Sequence, residues 1–332
     1  MAASARSTDF TTDIYRTIGK PFGRTASNVR EALWGVIFVS PWILGLVIFI
    51  VGPIMVSLYW SFSEFDILGT PQWIGFDNYA TALNLQRWLP FWPGMRGDRR
   101  FAQAVTNTVI FTGVTVPVGT VGSLLLAILL NQKLRGTYFF RTLFFMPQLV
   151  PSVASIILWK ALLHPRVGVI NGMLAMINIE GPGWLTDPST AMMSVVMIGL
   201  WGSIGGSRML IFLAGLQGVP QELYEAADLD GAGSWHRFWN VTLPLISPTL
   251  LFNLILGIIG ALQVFNIAFI GTGGGPAYAT WFYALHIYRQ AFEYFRMGYG
   301  SALAWLFAIS LIIFTWIQMR FSEKWVYYAG GS

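Results

Sequence analysis

Six apolar stretches, each about twenty residues or longer and none holding an aspartate or glutamate, constrain this chain more than any other feature. They run near 34–58, 105–130, 143–162, 191–213, 246–270 and 300–319. A hydrocarbon core of about 30 Å takes roughly 20 helical residues to cross, and backbone in lipid must satisfy every N–H and C=O within itself. No alternating strand pattern argues for a barrel. The expected fold class is therefore all-α, a polytopic membrane protein with six transmembrane helices. Composition agrees, since 55% of the 332 residues are hydrophobic and only 11% charged, against about 25% charged in an ordinary soluble domain.

Basic residues set the expected orientation. With the N-terminus inside, eleven Lys and Arg fall on the cytoplasmic side, among them Arg16, Lys20, Lys133, Arg141, Arg237 and Arg320, and eight fall outside. Both termini then face the cytoplasm. The domain plan is a cytoplasmic segment 1–33, a first helix 34–58, an external loop 59–104, a core 105–320 and a cytoplasmic tail 321–332. Residues 1–30 show no short apolar core with a small-residue cleavage site, so the first span is expected to be retained. Phe10, Ile14, Ile18 and Phe22 recur every four residues, which suits either an interfacial helix or a frayed tail. Trp60, Trp73, Trp88 and Trp92 crowd the external loop, as rings anchored at a membrane surface do.

Several chemistries drop out. The chain has no cysteine, and His164, His236 and His286 lack ligand spacing, so no metal is expected. A phosphate-cradling Gly-x-x-x-x-Gly-Lys-Ser/Thr loop is missing, which rules out ATP hydrolysis by the usual route. The spans hold none of the carboxylates on which a proton-coupled carrier relies. Glu64, Asp66 and Asp77 form an external acidic group that reads as solvated loop rather than as an enzyme's acid and base. A net charge of +5, spread over loops, reads as orientation and not as a nucleic-acid footprint.

One long interruption is polar. Residues 221–230 are good helix formers, Gly231-Ala232-Gly233 makes a corner, and a second amphipathic arm runs to Pro244, which is expected to stop it. Two short helices meeting at a sharp bend between membrane spans suit insertion into a groove of a soluble partner, though an interfacial connector has the same pattern.

Glu225-Ala226-Ala227, with Gly231 six residues after Glu225 and Leu243-Pro244 beyond, resembles the EAA motif of permease subunits in binding-protein-dependent ABC importers. Segments 140–147, 184–188 and 209–217, together with Thr272-Gly273-Gly274-Gly275-Pro276, are similar to the carbohydrate-uptake branch, of the type seen in the larger maltose permease and the glycerol-phosphate permease. The resemblance covers about 101–320. It implies the compact MetI-like transmembrane fold and an inner-membrane location. It also implies that Glu222, Glu225, Ala226, Ala227, Asp230, Gly231, Leu243 and Pro244 couple to a cytoplasmic ATPase. The implied partners are a second homologous permease, two copies of that ATPase carrying ATP and Mg, and an external solute-binding lipoprotein docking on 59–100 and 271–296. This chain would bind no cofactor and catalyse nothing.

Polar groups inside spans face a bundle interior or a wet cavity. Trp201, Ser203, Arg208, Gly260, Gln263 and Asn266 are the candidate solute contacts, because a sugar needs amide and hydroxyl partners for its hydroxyls and aromatic surface for its ring faces. Asn253, Gln263 and Asn266 equally suit contacts between helices, and Arg208 suits snorkelling or pairing with the partner permease. A carrier or channel acting alone is the alternative function that the residues leave open.

Overall fold

The structure, a computed structural model, describes residues 26–83, 98–132 and 135–327, with the backbone alone for 26–30. The Phe10 to Phe22 stripe, Trp88 and Trp92 lie outside the described residues. The chain forms two compact units that divide between Tyr59 and Trp60.

In the first unit, α1 (Ala26–Leu46) continues through a π turn, Val47–Val51, into α2 (Gly52–Ser61), and Glu31–Ser61 is long and apolar enough to cross a membrane. The π turn precedes Pro53, whose missing N–H removes one donor from the helical ladder.

The second unit is built around α4 (Arg99–Asn131), a helix of 33 residues and so about 50 Å long. Before it come the short antiparallel strands β1 (Ser63–Glu64) and β2 (Gln72–Trp73) and the helix α3 (Asp77–Ala82). Asn78 of α3 donates to the carbonyls of Ser61 and Ser63, each at 3.0 Å, and so pins this small cap. After α4 come α5 (Thr137–Leu149), α6 (Ser152–Leu162), α7 (Val169–Met176), α8 (Pro188–Ser203) and α9 (Gly206–Gln217). The chain ends with α10 (Gln221–Leu229), α11 (Ser234–Arg237), α12 (Leu243–Leu245), α13 (Ser247–Leu262), α14 (Tyr283–Tyr288) and α15 (Met297–Ser322).

Two apolar clusters lie at the two ends of α4. Ala104 and Phe111 pack with Val195, Ile198, Phe282 and Leu285, while Leu124, Ala127 and Leu130 pack with Met209, Phe212 and Leu216. Between these ends Gly119 and Gly122 let α8 and α9 approach closely. A Cβ at Gly122 would sit 3.0 Å from Ile204, and one at Gly119 only 2.5 Å from Ser203 Oγ.

The structure breaks two of the six stretches. The reading of 143–162 as one rod gives way to α5 and α6 bent by 95°, because Pro151 pushes Val150 out of the helical region to ψ 128°. Likewise 191–213 divides into α8 and α9 at 47°. Gly205, at φ 101° and ψ −146°, makes that break in a region of backbone space that side chains rarely enter, and a Cβ there would lie 2.6 Å from the Phe144 carbonyl oxygen. The other four, Glu31–Ser61, Arg99–Asn131, Ser247–Thr272 and Met297–Ser322, each remain a single span.

The segment after α13 is sewn onto the start of α4. Asn107 donates to the Tyr278 and Trp281 carbonyls at 2.9 and 3.2 Å, and the Tyr283 N–H donates to Thr108 Oγ1 at 2.9 Å. Asp98 caps α4, accepting at Oδ1 from the N–H groups of Arg100 and Phe101. Its Oδ2 accepts from the Tyr299 hydroxyl at 3.0 Å and lies 2.9 Å from Nε2 of His286, a fully buried ring. Burial disfavours the Asp98 carboxylate, but His286, the Arg100 N–H and Tyr299 outweigh it and hold its pKa at about 2, against 3.8. Trp281, Phe282, Leu285 and His286 are all buried here. Of the 271–296 segment expected to dock a partner, this stretch is core, and the exposed part includes Tyr278, Phe292, Tyr294 and Phe295.

Candidate functional site: an exposed elbow and a glycine-walled cavity

The polar interruption forms the elbow that its residues predict. α10 ends at Leu229, and the Ala232 N–H donates to the Ala227 carbonyl at 2.9 Å while the Gly231 N–H donates to Asp228 at 3.1 Å. This pair of bonds is the left-handed helix stop for which glycine is the usual residue, and Gly231 has φ +75°. Nothing lies within 4 Å of where its Cβ would stand, so glycine is required by backbone conformation and not by crowding. The second arm is α11, a π turn at Phe238–Thr242, and α12. Pro244 does not stop this arm as the sequence suggested. It sits just after the π turn, as Pro53 sits just after the π turn at Val47–Val51, and the helical run breaks at Ile246, at φ −91° and ψ 2°.

Two contacts brace the arms. Arg237 donates to Asp228, and the Tyr224 hydroxyl lies 3.0 Å from Thr242 Oγ1. Glu222, Glu225, Ala226, Asp230 and Gly231 are exposed, whereas Ala227, Leu243 and Pro244 are half-buried. Glu225 accepts one bond, from Gln221 at 3.1 Å within its own helix. Leu229, 90% exposed, and Trp235, 69% exposed, put apolar surface at the same corner, so the elbow offers a carboxylate beside bare hydrophobic groups.

The second feature is a cavity of about 370 Å³ between the two apolar clusters, large enough for a small organic solute. Its wall includes Thr115 and Val116 of α4, Gln148 of α5, Ser207 and Arg208 of α9, and Leu256 of α13, with glycines at 199, 202, 205, 257 and 260. Of the six residues proposed from sequence, Ser203, Arg208 and Gly260 line it. Trp201 does not, and packs edge-on against Trp159 at 5.7 Å. Asn266 donates to Ser152 Oγ at 3.1 Å, and Gln263 closes the end of α13, both off the wall. Asn253 is buried and donates to the Thr249 carbonyl one turn back. Gln148 and Ser207 were missed. Gln148 stands in a span just as Gln263 does, but only the break at Gly205 shows that it faces the α9 start, where its amide bonds both the Ser207 N–H and the Ser207 hydroxyl. Among the described residues no group of His, Asp and Glu could hold a metal.

Comparison with known proteins places these features in context. Residues 91–326 match the family described as "Binding-protein-dependent transport system inner membrane component". The probable ABC transporter permease protein YesP of Bacillus subtilis is 36% identical over 311 residues, 92% of this chain and 95% of its own. The trehalose/maltose transport system permease protein MalF of Thermococcus litoralis is 32% identical over 296 residues, 88% of this chain and 94% of its own. In fold, the chain resembles a bacterial ABC transporter involved in the import of the acidic polysaccharide alginate, with a TM-score of 0.77 at 23% identity over 90% of this chain and 98% of that one.

Proposed function

The chain belongs to the family of binding-protein-dependent transport system inner membrane components, the non-catalytic permeases of ABC importers, and from that premise we propose that it forms half of a saccharide route across the membrane. It pairs with a second permease, takes its solute from an external binding protein and is driven by two cytoplasmic ATPase subunits. The identities to sugar permeases such as the trehalose/maltose one support a saccharide. The amide, hydroxyl and glycine-rich wall of the cavity suits one too.

The observation that carries this reading is the rigid elbow at 221–244, which couples two spans through an exposed corner. Closure of the ATPase dimer pulls Glu225 and its neighbours inward, and the stiff helix stop at Gly231 passes that displacement to α9 and α13 without slack. Coupling by Glu222, Glu225, Ala226, Ala227, Asp230, Gly231, Leu243 and Pro244 requires the elbow and both termini to face the cytoplasm. Reconstitution tests the reading. The purified chain alone should pass no solute, and ATP-driven uptake should appear only when permease partner, ATPase and binding protein are added. Solute flux through the chain by itself, without ATP, would establish a stand-alone carrier instead.

A further inference from the structure

The cavity carries one charge. Among the described residues, Arg208 is the only ionisable one on its wall, and no Asp or Glu lines it. Arginine cannot shed its proton inside a protein, so the cavity holds a permanent cation. Its Nη1 is buried with no hydrogen-bond partner, and Arg208 joins none of the ion pairs among the described residues. Nor is the side chain there by accident of packing. It threads between Gly119 of α4 and Gly257 of α13, where an added Cβ would come within 2.9 Å of Nη1 and 2.8 Å of Nη2. Two glycines on two different helices make room for this guanidinium.

The helix ends at the wall do not supply the charge. The break at Gly205 starts α9, a helix of 12 residues, at the cavity wall, with Gly205, Ser207 and Arg208 all lining it, but it also ends α8 there, with Gly202 and Ser203 on the same wall. The positive end of one helix dipole and the negative end of another meet the same space, so the guanidinium alone sets its sign. Gln148, the amide side chain on the wall, is already committed to Ser207 at both of its polar ends.

An uncompensated cation in a low-dielectric wall is costly unless an anion visits it. The geometry points to an anionic saccharide as the solute, one bearing a carboxylate, phosphate or sulfonate that pairs with Arg208 in transit. This rests on the saccharide reading above and narrows it. Neutral sugars would leave the guanidinium unpaired and so be disfavoured.

The test uses the complete transporter in proteoliposomes, with binding protein, and measures ATP-driven uptake of digalacturonate, glucose 6-phosphate, a sulfonated glucose, maltose and lactose. At least one anionic member should be carried and the neutral ones excluded. Arg208→Gln should cut that uptake about tenfold or more, the usual effect of deleting a charged hydrogen-bond donor, while Arg208→Lys keeps most of it. A neutral sugar carried equally well by wild type and Arg208→Gln overturns the inference and leaves the saccharide reading standing. If Arg208→Gln instead loses its partner permease on purification while Arg208→Lys keeps it and carries neutral sugar, the arginine is an intersubunit ion pair and the inference fails. No uptake of any member, from a transporter whose ATPase is active, removes the saccharide reading and this inference together.

Discussion

Arg237 reaches back across the corner of the elbow to Asp228, with Nη1 2.6 Å from Oδ1, so that one arm holds the other. Asp228 is 56% exposed and Arg237 31%, which limits the pair to about 0.2–1 kcal/mol. Asp228→Asn and Arg237→Gln should each leave the protein folded, and a double-mutant cycle on thermal unfolding should return a coupling inside that range that shrinks in high salt. Uptake per ATP hydrolysed should fall in both single variants, because a looser elbow wastes displacement. Unchanged coupling of transport to hydrolysis in both would show that the brace is ornamental to force transfer.

Gly231 should respond to backbone preference alone. Asparagine tolerates its φ of +75°, alanine pays about 1 kcal/mol there, and proline both fixes φ near −65° and removes the N–H that donates to Asp228. Uptake should fall in the order glycine, asparagine, alanine, proline, with ATPase activity of the complex persisting throughout. A Gly231→Pro transporter with full uptake would refute the elbow's role.

Asp98 predicts an acid limb in stability. Its folded pKa of about 2 lies below the 3.8 of the free carboxyl, so the folded state holds the proton more weakly. Its contribution, about 2 kcal/mol, is complete above about pH 4 and disappears as pH falls through about 2. Wild type and Asp98→Asn, compared by thermal unfolding in detergent from pH 7 to pH 2, should differ by a constant amount above pH 4 and converge in acid. A gap that persisted to pH 2 would mean that packing and not charge sets it.

Gly298, in the first turn of α15, presses on the small cap formed by β1, β2 and α3. Its N–H donates to the Phe65 carbonyl at 3.0 Å, and a Cβ would stand 2.1 Å from the Ser63 carbonyl oxygen. Since that obstacle is backbone, Gly298→Ala should cost about 1–3 kcal/mol. Gly260→Ala, where a Cβ would meet nothing within 4 Å, serves as the control and should cost little. Equal melting temperatures for the two variants would contradict this account.

The legibility of the fold follows from how local each signal is. Apolar runs long enough for a bilayer announce themselves, and the glycine corner after a stretch of helix formers does too, because a left-handed stop is chemistry confined to two or three residues. The bends were harder to read. Pro151 is visible as a breaker, yet proline is tolerated inside α4 at Pro117, so sequence alone does not say which proline kinks. The cavity was half legible for a related reason. Ser203 and Arg208 stand out as polar groups in an apolar run, but whether Gln263 or Gln148 faces the cavity depends on rotations set by the breaks at Val150 and Gly205. His286, passed over for lack of ligand spacing, has a structural post beneath Asp98 that only the returning loop supplies.

Much of the cavity wall is glycine, and at Gly202 and Gly260 a methyl group would project into empty space without disturbing a neighbour. The width of the cavity is thus set by atoms that are missing and not by atoms that are packed. On the solute route proposed above, descendants of this chain could narrow the passage one methyl at a time, trading large cargo for small, while the surrounding scaffold registers almost no change.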